Sequence, residues 1–256
     1  MPKFEWNLRT GGTSIGLMGH VIADFPSPAV ARSMIAAMVN AGCKVIEIQI
    51  PFSEPMADGA LFLAANHQAI AQGVDYKASL NLMREVTTAY PSVRFIFMTY
   101  LNVIYQRGYQ EFVADAVNHG ATGVIVPDLP VEYAESLERA GEPFGFANVR
   151  VIPPNITNDR LAEIGRGARG LIYAVARAGV TGAHSDFTPV GSFVNRIRAH
   201  TDVPIAVGFG VRGGEDVRQL KGIADLAVIG SASLQAYQEK GLSGLEALWK
   251  GIKSGC

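Results

Sequence analysis

Apolar residues recur along this chain in two rhythms that trade places. Short stretches with apolar residues alternating or continuous are each followed, after a turn signal, by a stretch with apolar residues three and four apart. The first rhythm predicts strands over Ser14–Ile22, Val45–Ile50, Arg94–Met98, Gly123–Val126, Asn148–Ile152, Leu171–Val175, Pro204–Val207 and Leu226–Ile229. The second predicts helices after Pro28 and over Leu61–Ile70, Ala78–Tyr90, Gln110–Asn118, Val131–Ala140 and Asn158–Gly165. It predicts further helices over Gly191–His200, Glu215–Lys221, Ser233–Lys240 and Leu245–Ile252. Eight strands alternating with helices over 256 residues, with no Ser/Gly-rich linker or charge run between them, predict an α/β chain folded as one (β/α)8 TIM barrel over residues 1–256.

One stretch breaks the apolar pattern. In Val45–Ile50 the period of two turns Ile46, Ile48 and Ile50 one way and Val45, Glu47 and Gln49 the other, so one face of a core strand carries a carboxylate and an amide. Pro51 then ends the ladder, and a loop with Pro55 and Gly59 brings a second carboxylate, Asp58, back over the strand end. A carboxyl set among apolar groups and another nearer water suit a division of acid and base work. A surface role for either acid is the plainer alternative.

Composition narrows the classes. A net charge of −1 and 48% hydrophobic residues suggest neither a nucleic-acid partner nor an anionic membrane surface. Cys43 and Cys256 make no metal-ligand spacing or disulfide framework, no apolar run has the length of a membrane span, and the N-terminal residues do not read as a signal peptide. The expected location is the cytoplasm, and no metal is expected.

Glycine marks three late strand ends: Gly179 and Gly182, Gly208 and Gly210, and Gly230 before Ser231. Glycines let backbone N–H groups approach an anion, and in barrels the loops after the last two strands commonly hold phosphate. Gly208–Gly213 also matches the dinucleotide fingerprint G-x-G-x-x-G, but only one further strand follows it, so phosphate binding is the better reading.

These motifs together resemble the tryptophan synthase α subunit family. Val45–Gly59 is similar to the family's L-E-L-G-I/V-P-F-S-D-P-L-A-D-G. The resemblance runs on through Met98–Asn102, Val126–Pro130, Pro153–Asn155, Arg177–Gly182, Ala206–Gly210 and Ile229–Ala232. It implies retro-aldol cleavage of indole-3-glycerol phosphate to indole and glyceraldehyde 3-phosphate, a step in tryptophan biosynthesis. No cofactor is implied in this subunit, and a β-subunit partner in an α2β2 assembly would carry pyridoxal phosphate. By resemblance Glu47 and Asp58 are catalytic, and Tyr100, Tyr173 and Thr181 bind substrate, Thr181 from a loop that closes over it. Gly182, Phe209, Gly210, Gly230 and Ser231 bind phosphate.

The chain also departs from the pattern. Gln49 stands where the family has glycine, and is expected either to donate to Glu47 or to crowd the substrate, so that Gln49→Gly should raise kcat/KM about tenfold. Ala60–Leu63 is apolar where the family reads P-T-I-Q, and His20 lies in a run that is more apolar in the family. A lone histidine in a core is first read as structural. The departures leave two other readings open, a stand-alone lyase or isomerase acting on another phosphorylated substrate and a catalytically weak regulatory subunit.

Overall fold

The computed structural model describes residues 4–175, 179–181, 184–186, 188–208 and 210–256, with 179–181, 184–186 and 188 described in backbone only. Among these, β1 (Gly16–Ile22), β2 (Cys43–Gln49), β3 (Arg94–Met98), β4 (Gly123–Ile125), β5 (Ala147–Ile152) and β6 (Ile172–Val175) run in parallel. A short antiparallel hairpin, β7 (Gly179–Thr181) with β8 (His184–Asp186), interrupts the series. Strands β9 (Ile205–Gly208) and β10 (Leu226–Ile229) then close the barrel in the order β1-β10-β9-β6-β5-β4-β3-β2. Parallel strands covered on both faces are largely apolar, and β1 and β10 are buried at every position, with His20 the one polar side chain among them.

Around the barrel lie α1 (Pro28–Ala41), α2 (Ala60–Ala71), α3 (Tyr76–Ala89), α4 (Leu101–Arg107) and α5 (Tyr109–Asn118). They are followed by α6 (Glu135–Gly141), α7 (Asn158–Arg166), α8 (Thr188–Arg198), α9 (Gly214–Leu220) and α10 (Ser231–Lys253). Local chemistry sets their ends. Ser27 caps α1 by accepting the Val30 N–H, Pro28 fits the first turn where no amide partner is needed, and Gly42 stops the helix in the left-handed region at φ 98°. Asp75 caps α3 by accepting the Ala78 N–H at 2.8 Å.

Alternation divides the core in two. Ile46, Ile48, Phe95 and Phe97 face outward into the layer between barrel and helices, while Met18, Val45, Ile96, Met98, Val149 and Val228 fill the barrel. Gly19 faces outward too, and a Cβ there would come within 2.5 Å of Met38 Sδ, so α1 lies directly on β1. Trp6 belongs to the interior cluster, against Gly123 and Gly170, under the Arg94 guanidinium 5.3 Å away.

Three expectations change in detail. Helix α4 falls where the spacing predicts no element, and its first amide, Leu101 N–H, is held by the Asp128 carboxylate at 2.9 and 3.2 Å. The stretch expected as one helix from Val131 is a 3-10 turn, Val131–Tyr133, followed by α6, because the Tyr133 N–H closes a tight turn on the Pro130 carbonyl. The two C-terminal helices run together as α10 across a break at Gly241, at φ 63° and ψ −154°.

Candidate active site

The odd face of β2 points into the barrel as the period required, and Glu47 and Gln49 are 3% and 0% exposed. Parallel pairing sets His20 of β1 directly beside Glu47, and Ile22 beside Gln49. The loop after β2 is pinned to its surroundings. Buried Asn66 of α2 accepts the Phe52 N–H at 3.1 Å and donates to the Phe62 carbonyl at 2.9 Å. Phe52 stacks on the Tyr100 ring, with centroids 5.2 Å apart. The Tyr100 hydroxyl accepts the Ala57 N–H and donates to Asp58 Oδ2, each at 3.1 Å.

A cavity of about 410 Å³ opens at the C-terminal end of the barrel, where strand ends and following loops converge. His20, Glu47, Asp58 and Tyr173 supply its polar wall, and Met98, Ile125, Val151, Val228 and Phe62 its apolar one. Gly210, Gly230 and Ser231 line it as well, Gly230 as the residue before the first turn of α10. Gly210 sits in the left-handed region at φ 82° with open space around it, so its backbone is bare to whatever enters. A side chain at Gly208 would strike the Tyr173 hydroxyl, so glycine there makes the room that Tyr173 occupies.

The carboxylates are joined by a continuous chain of hydrogen bonds. Glu47 Oε1 lies 2.7 Å from His20 Nδ1, His20 Nε2 lies 3.0 Å from Gln49 Oε1, and Gln49 Nε2 donates to Asp58 Oδ2 at 2.7 Å. Burial alone would lower the His20 pKa, but the Glu47 charge, its hydrogen bond and the Asp58 charge outweigh this and hold it above the ordinary histidine value. Burial, with the charge of Asp58, pushes the Tyr100 phenol up, and burial with the charges of Glu47 and Asp58 does the same to Tyr173, so both stay protonated at neutral pH.

The expected site residues thus divide. Glu47, Asp58, Tyr173, Gly210, Gly230 and Ser231 meet at one cavity. Tyr100 is 1% exposed and does not line it, its hydroxyl being committed to the Asp58 loop. Gly182 and Phe209 lie outside the described residues, and Thr181 is described only as backbone of β7. Gln49 donates to Asp58 and not to Glu47, which corrects the first route expected for it, and it does not itself line the cavity. His20 was set aside as structural, yet it lines the cavity and touches the first carboxylate; the signal was its standing as the one polar side chain in Gly16–Ile22.

Comparison with known proteins decides the family. The family model described as Tryptophan synthase alpha chain matches residues 12–250. The chain belongs to the tryptophan synthase alpha chain family. A tryptophan synthase alpha chain from Syntrophotalea carbinolica is 38% identical over 238 residues, 93% of this chain and 94% of its own. Another, from Desulfotalea psychrophila, is 40% identical over 226 residues, 88% and 89% of the two chains. In three dimensions the chain is similar to a Mycobacterium tuberculosis tryptophan synthase structure, with a TM-score of 0.86 and 31% identity over 94% of this chain and 92% of the other. Within this family membership, the centre of the site holds an amide, Gln49, on the same inward face as Glu47 and a histidine, His20, beside them.

Proposed function

We propose that this chain cleaves indole-3-glycerol phosphate to indole and glyceraldehyde 3-phosphate, with Glu47 and Asp58 as its catalytic residues. The observation that carries the reading is the pair of carboxylates facing one cavity that is apolar over most of its wall and glycine-lined at the start of α10. An indole ring fits the apolar wall. The phosphate suits the backbone around Gly210, Gly230 and Ser231, with Gly182 and Phe209 retained as further phosphate residues and Thr181 as a substrate residue on the family pattern.

The chemistry follows from the leaving group. Indole leaves as a neutral ring only if C3 is protonated before the carbon–carbon bond breaks. Glu47 gives that proton, and the ring becomes a cation whose N–H faces Asp58. Glu47 then takes the proton of the side-chain hydroxyl, the oxygen electrons form the aldehyde, and the electrons of the breaking bond restore the indole. The proton given equals the proton taken. Asp58 is oriented for its part: Gln49 and Tyr100 both donate to Oδ2, and among the described residues no hydrogen bond falls on Oδ1.

The reading includes a tryptophan synthase β subunit as partner, in an α2β2 assembly, with pyridoxal phosphate belonging to that subunit and no cofactor assigned to this one. Met56, Tyr105 and Tyr133 support it, standing 86%, 73% and 71% exposed on the segments that follow β2, β3 and β4. Both cysteines are free thiols, in keeping with a cytoplasmic location, and no described helix is long and apolar enough to cross a membrane. We take residues 1–256 as one domain.

The test is turnover of indole-3-glycerol phosphate with and without a β subunit. Release of indole and glyceraldehyde 3-phosphate, faster with the partner present, is the expected result, and no release under either condition overturns the reading. The phosphate placement has its own check. Gly210→Asp, an exchange the left-handed backbone tolerates better than most, sets a negative charge beside the bound phosphate and is expected to weaken inorganic phosphate binding by about tenfold or more. Unaltered affinity in a calorimetric titration rules the placement out.

For Gln49 the geometry reverses the expected gain. Gln49→Gly leaves His20 Nε2 without its buried partner and Asp58 Oδ2 with the Tyr100 hydroxyl alone, so the variant is expected to lose about 1–3 kcal/mol of unfolding stability, and kcat/KM falls instead of rising. An unshifted denaturation midpoint together with faster turnover would restore the crowding role.

A further inference from the structure

We propose that His20 is a positioning residue for Glu47 that keeps one proton on the Glu47–His20 contact, and that Gln49 fixes this arrangement by tying His20 to Asp58. The proposal rests on the reaction assigned above, and extends it to two residues by which this chain departs from the family pattern.

The argument is one of donors and acceptors. Gln49 lies 2.7 Å from Asp58 Oδ2, and an ionised carboxylate only accepts, so the amide NH2 of Gln49 faces Asp58 and its oxygen faces His20. The oxygen accepts only, so His20 Nε2 carries a hydrogen. The remaining ring nitrogen, Nδ1, then meets Glu47 Oε1 at 2.7 Å in one of two ways. Either a neutral imidazole accepts from a protonated Glu47, or an imidazolium donates to a carboxylate. Both forms hold one proton on the same contact, and a short move across 2.7 Å interconverts them. A Glu47 carboxylate beside a neutral His20 would set two acceptors against each other in a buried space, since Nε2 is already committed as the donor to Gln49.

That single proton is the one the reaction needs first, because C3 of the ring is protonated before the bond breaks. His20 itself need not touch the substrate. Its ring packs edge-on against Phe62, with centroids 4.5 Å apart, and this contact together with the two hydrogen bonds fixes the imidazole plane toward Glu47. The charged and titratable groups facing His20 are Glu47 from β2, Asp58 from the following loop and, across the cavity, Tyr173 from β6. Helix α2 contributes apolar Phe62, β10 contributes Val228, and Gly230 stands before the first turn of α10. No lysine or arginine lines the cavity among the described residues, so His20 is the cation available there to answer the two acids. The raised His20 pKa agrees in sign: the proton is held at pH values where an ordinary histidine has lost it, and is released as pH rises through the raised value.

Two measurements test the pair. In the free protein, histidine-selective 15N NMR, with the His20 signals assigned by their loss in His20→Phe, is expected to show hydrogen on Nε2 throughout and a His20 titration above the ordinary histidine value. The titration should fall below the wild-type value in Glu47→Gln, where the opposing charge is gone. Hydrogen on Nδ1 alone at neutral pH, or a titration unmoved by Glu47→Gln, overturns the proposal. In turnover, the alkaline limb of the kcat/KM profile for indole-3-glycerol phosphate is expected to move down by about one pH unit or more in His20→Phe, with KM little altered.

His20→Gln separates a held proton from mere shape, because glutamine restores hydrogen bonding but cannot carry the proton. It is expected to show the same downward shift. A His20→Gln profile that superimposes on wild type makes His20 structural only and overturns the proposal. Should wild-type protein fail to turn over this substrate at all, the assigned reaction falls, while the NMR titration still decides whether the pair exists.

Discussion

Glu47→Gln is expected to lower kcat for indole-3-glycerol phosphate cleavage by about 10²–10⁴-fold, toward the upper end because a single group both gives and takes the proton. The exchange is close to isosteric. The new amide NH2 can still donate to His20 Nδ1, so the barrel interior keeps its hydrogen bonds and the fold is retained. Substrate binding, which draws on the apolar wall and the glycine-lined mouth, should persist, placing the loss in kcat and not in KM. Single-turnover kinetics with equilibrium binding of the same substrate make the distinction. Retention of most of the wild-type rate assigns the acid and base work to another group.

For Asp58→Asn the expected loss is about 10²–10³-fold in kcat, the scale for removing one electrostatic partner of a charged transition state. The asparagine oxygen can take over the hydrogen bonds from Gln49 and Tyr100, which turns the amide NH2 toward the ring. A donor then faces the indole N–H where an acceptor and a counter-charge stood. The same variant carries a check that needs no substrate. Beyond burial, Asp58 is one of the groups pushing the Tyr100 phenol up, so ultraviolet titration of tyrosine should show Tyr100 ionising at lower pH in Asp58→Asn. A kcat within about threefold of wild type refutes the stabilising role assigned to Asp58.

The barrel was legible because its signals are local and repeated. Val45–Ile50 announced its two faces by alternation alone, and the inward face is the one the period assigned to Glu47 and Gln49. Asp58 was legible as a carboxylate after a proline stop. What stayed hidden depends on register and on side-chain torsion. Nothing in the order of residues says that β1 pairs with β2 so that His20 stands beside Glu47. Gln49 was correctly turned inward, but its amide reaches across to His20 and Asp58, a choice made by hydrogen-bond partners and not by spacing. Helix α4 escaped because its start rests on Asp128, a cap supplied from the next strand's loop instead of from the residue before it.

The contact between His20 and Gln49 also bears on how such a site can be inherited. Each side chain satisfies a buried polar group of the other. Starting from a chain with an apolar residue at 20 and glycine at 49, acquiring the histidine first leaves a ring nitrogen unmet. Acquiring the glutamine first leaves an amide oxygen unmet, at about 1–3 kcal/mol in either case. Such a step takes a sizeable share of the margin by which a protein stays folded. The two positions are therefore expected to travel as one character. A lineage enters or leaves this arrangement by a paired substitution, or through an ancestor stable enough to bear the unpaired intermediate, and homologues should carry both residues or neither.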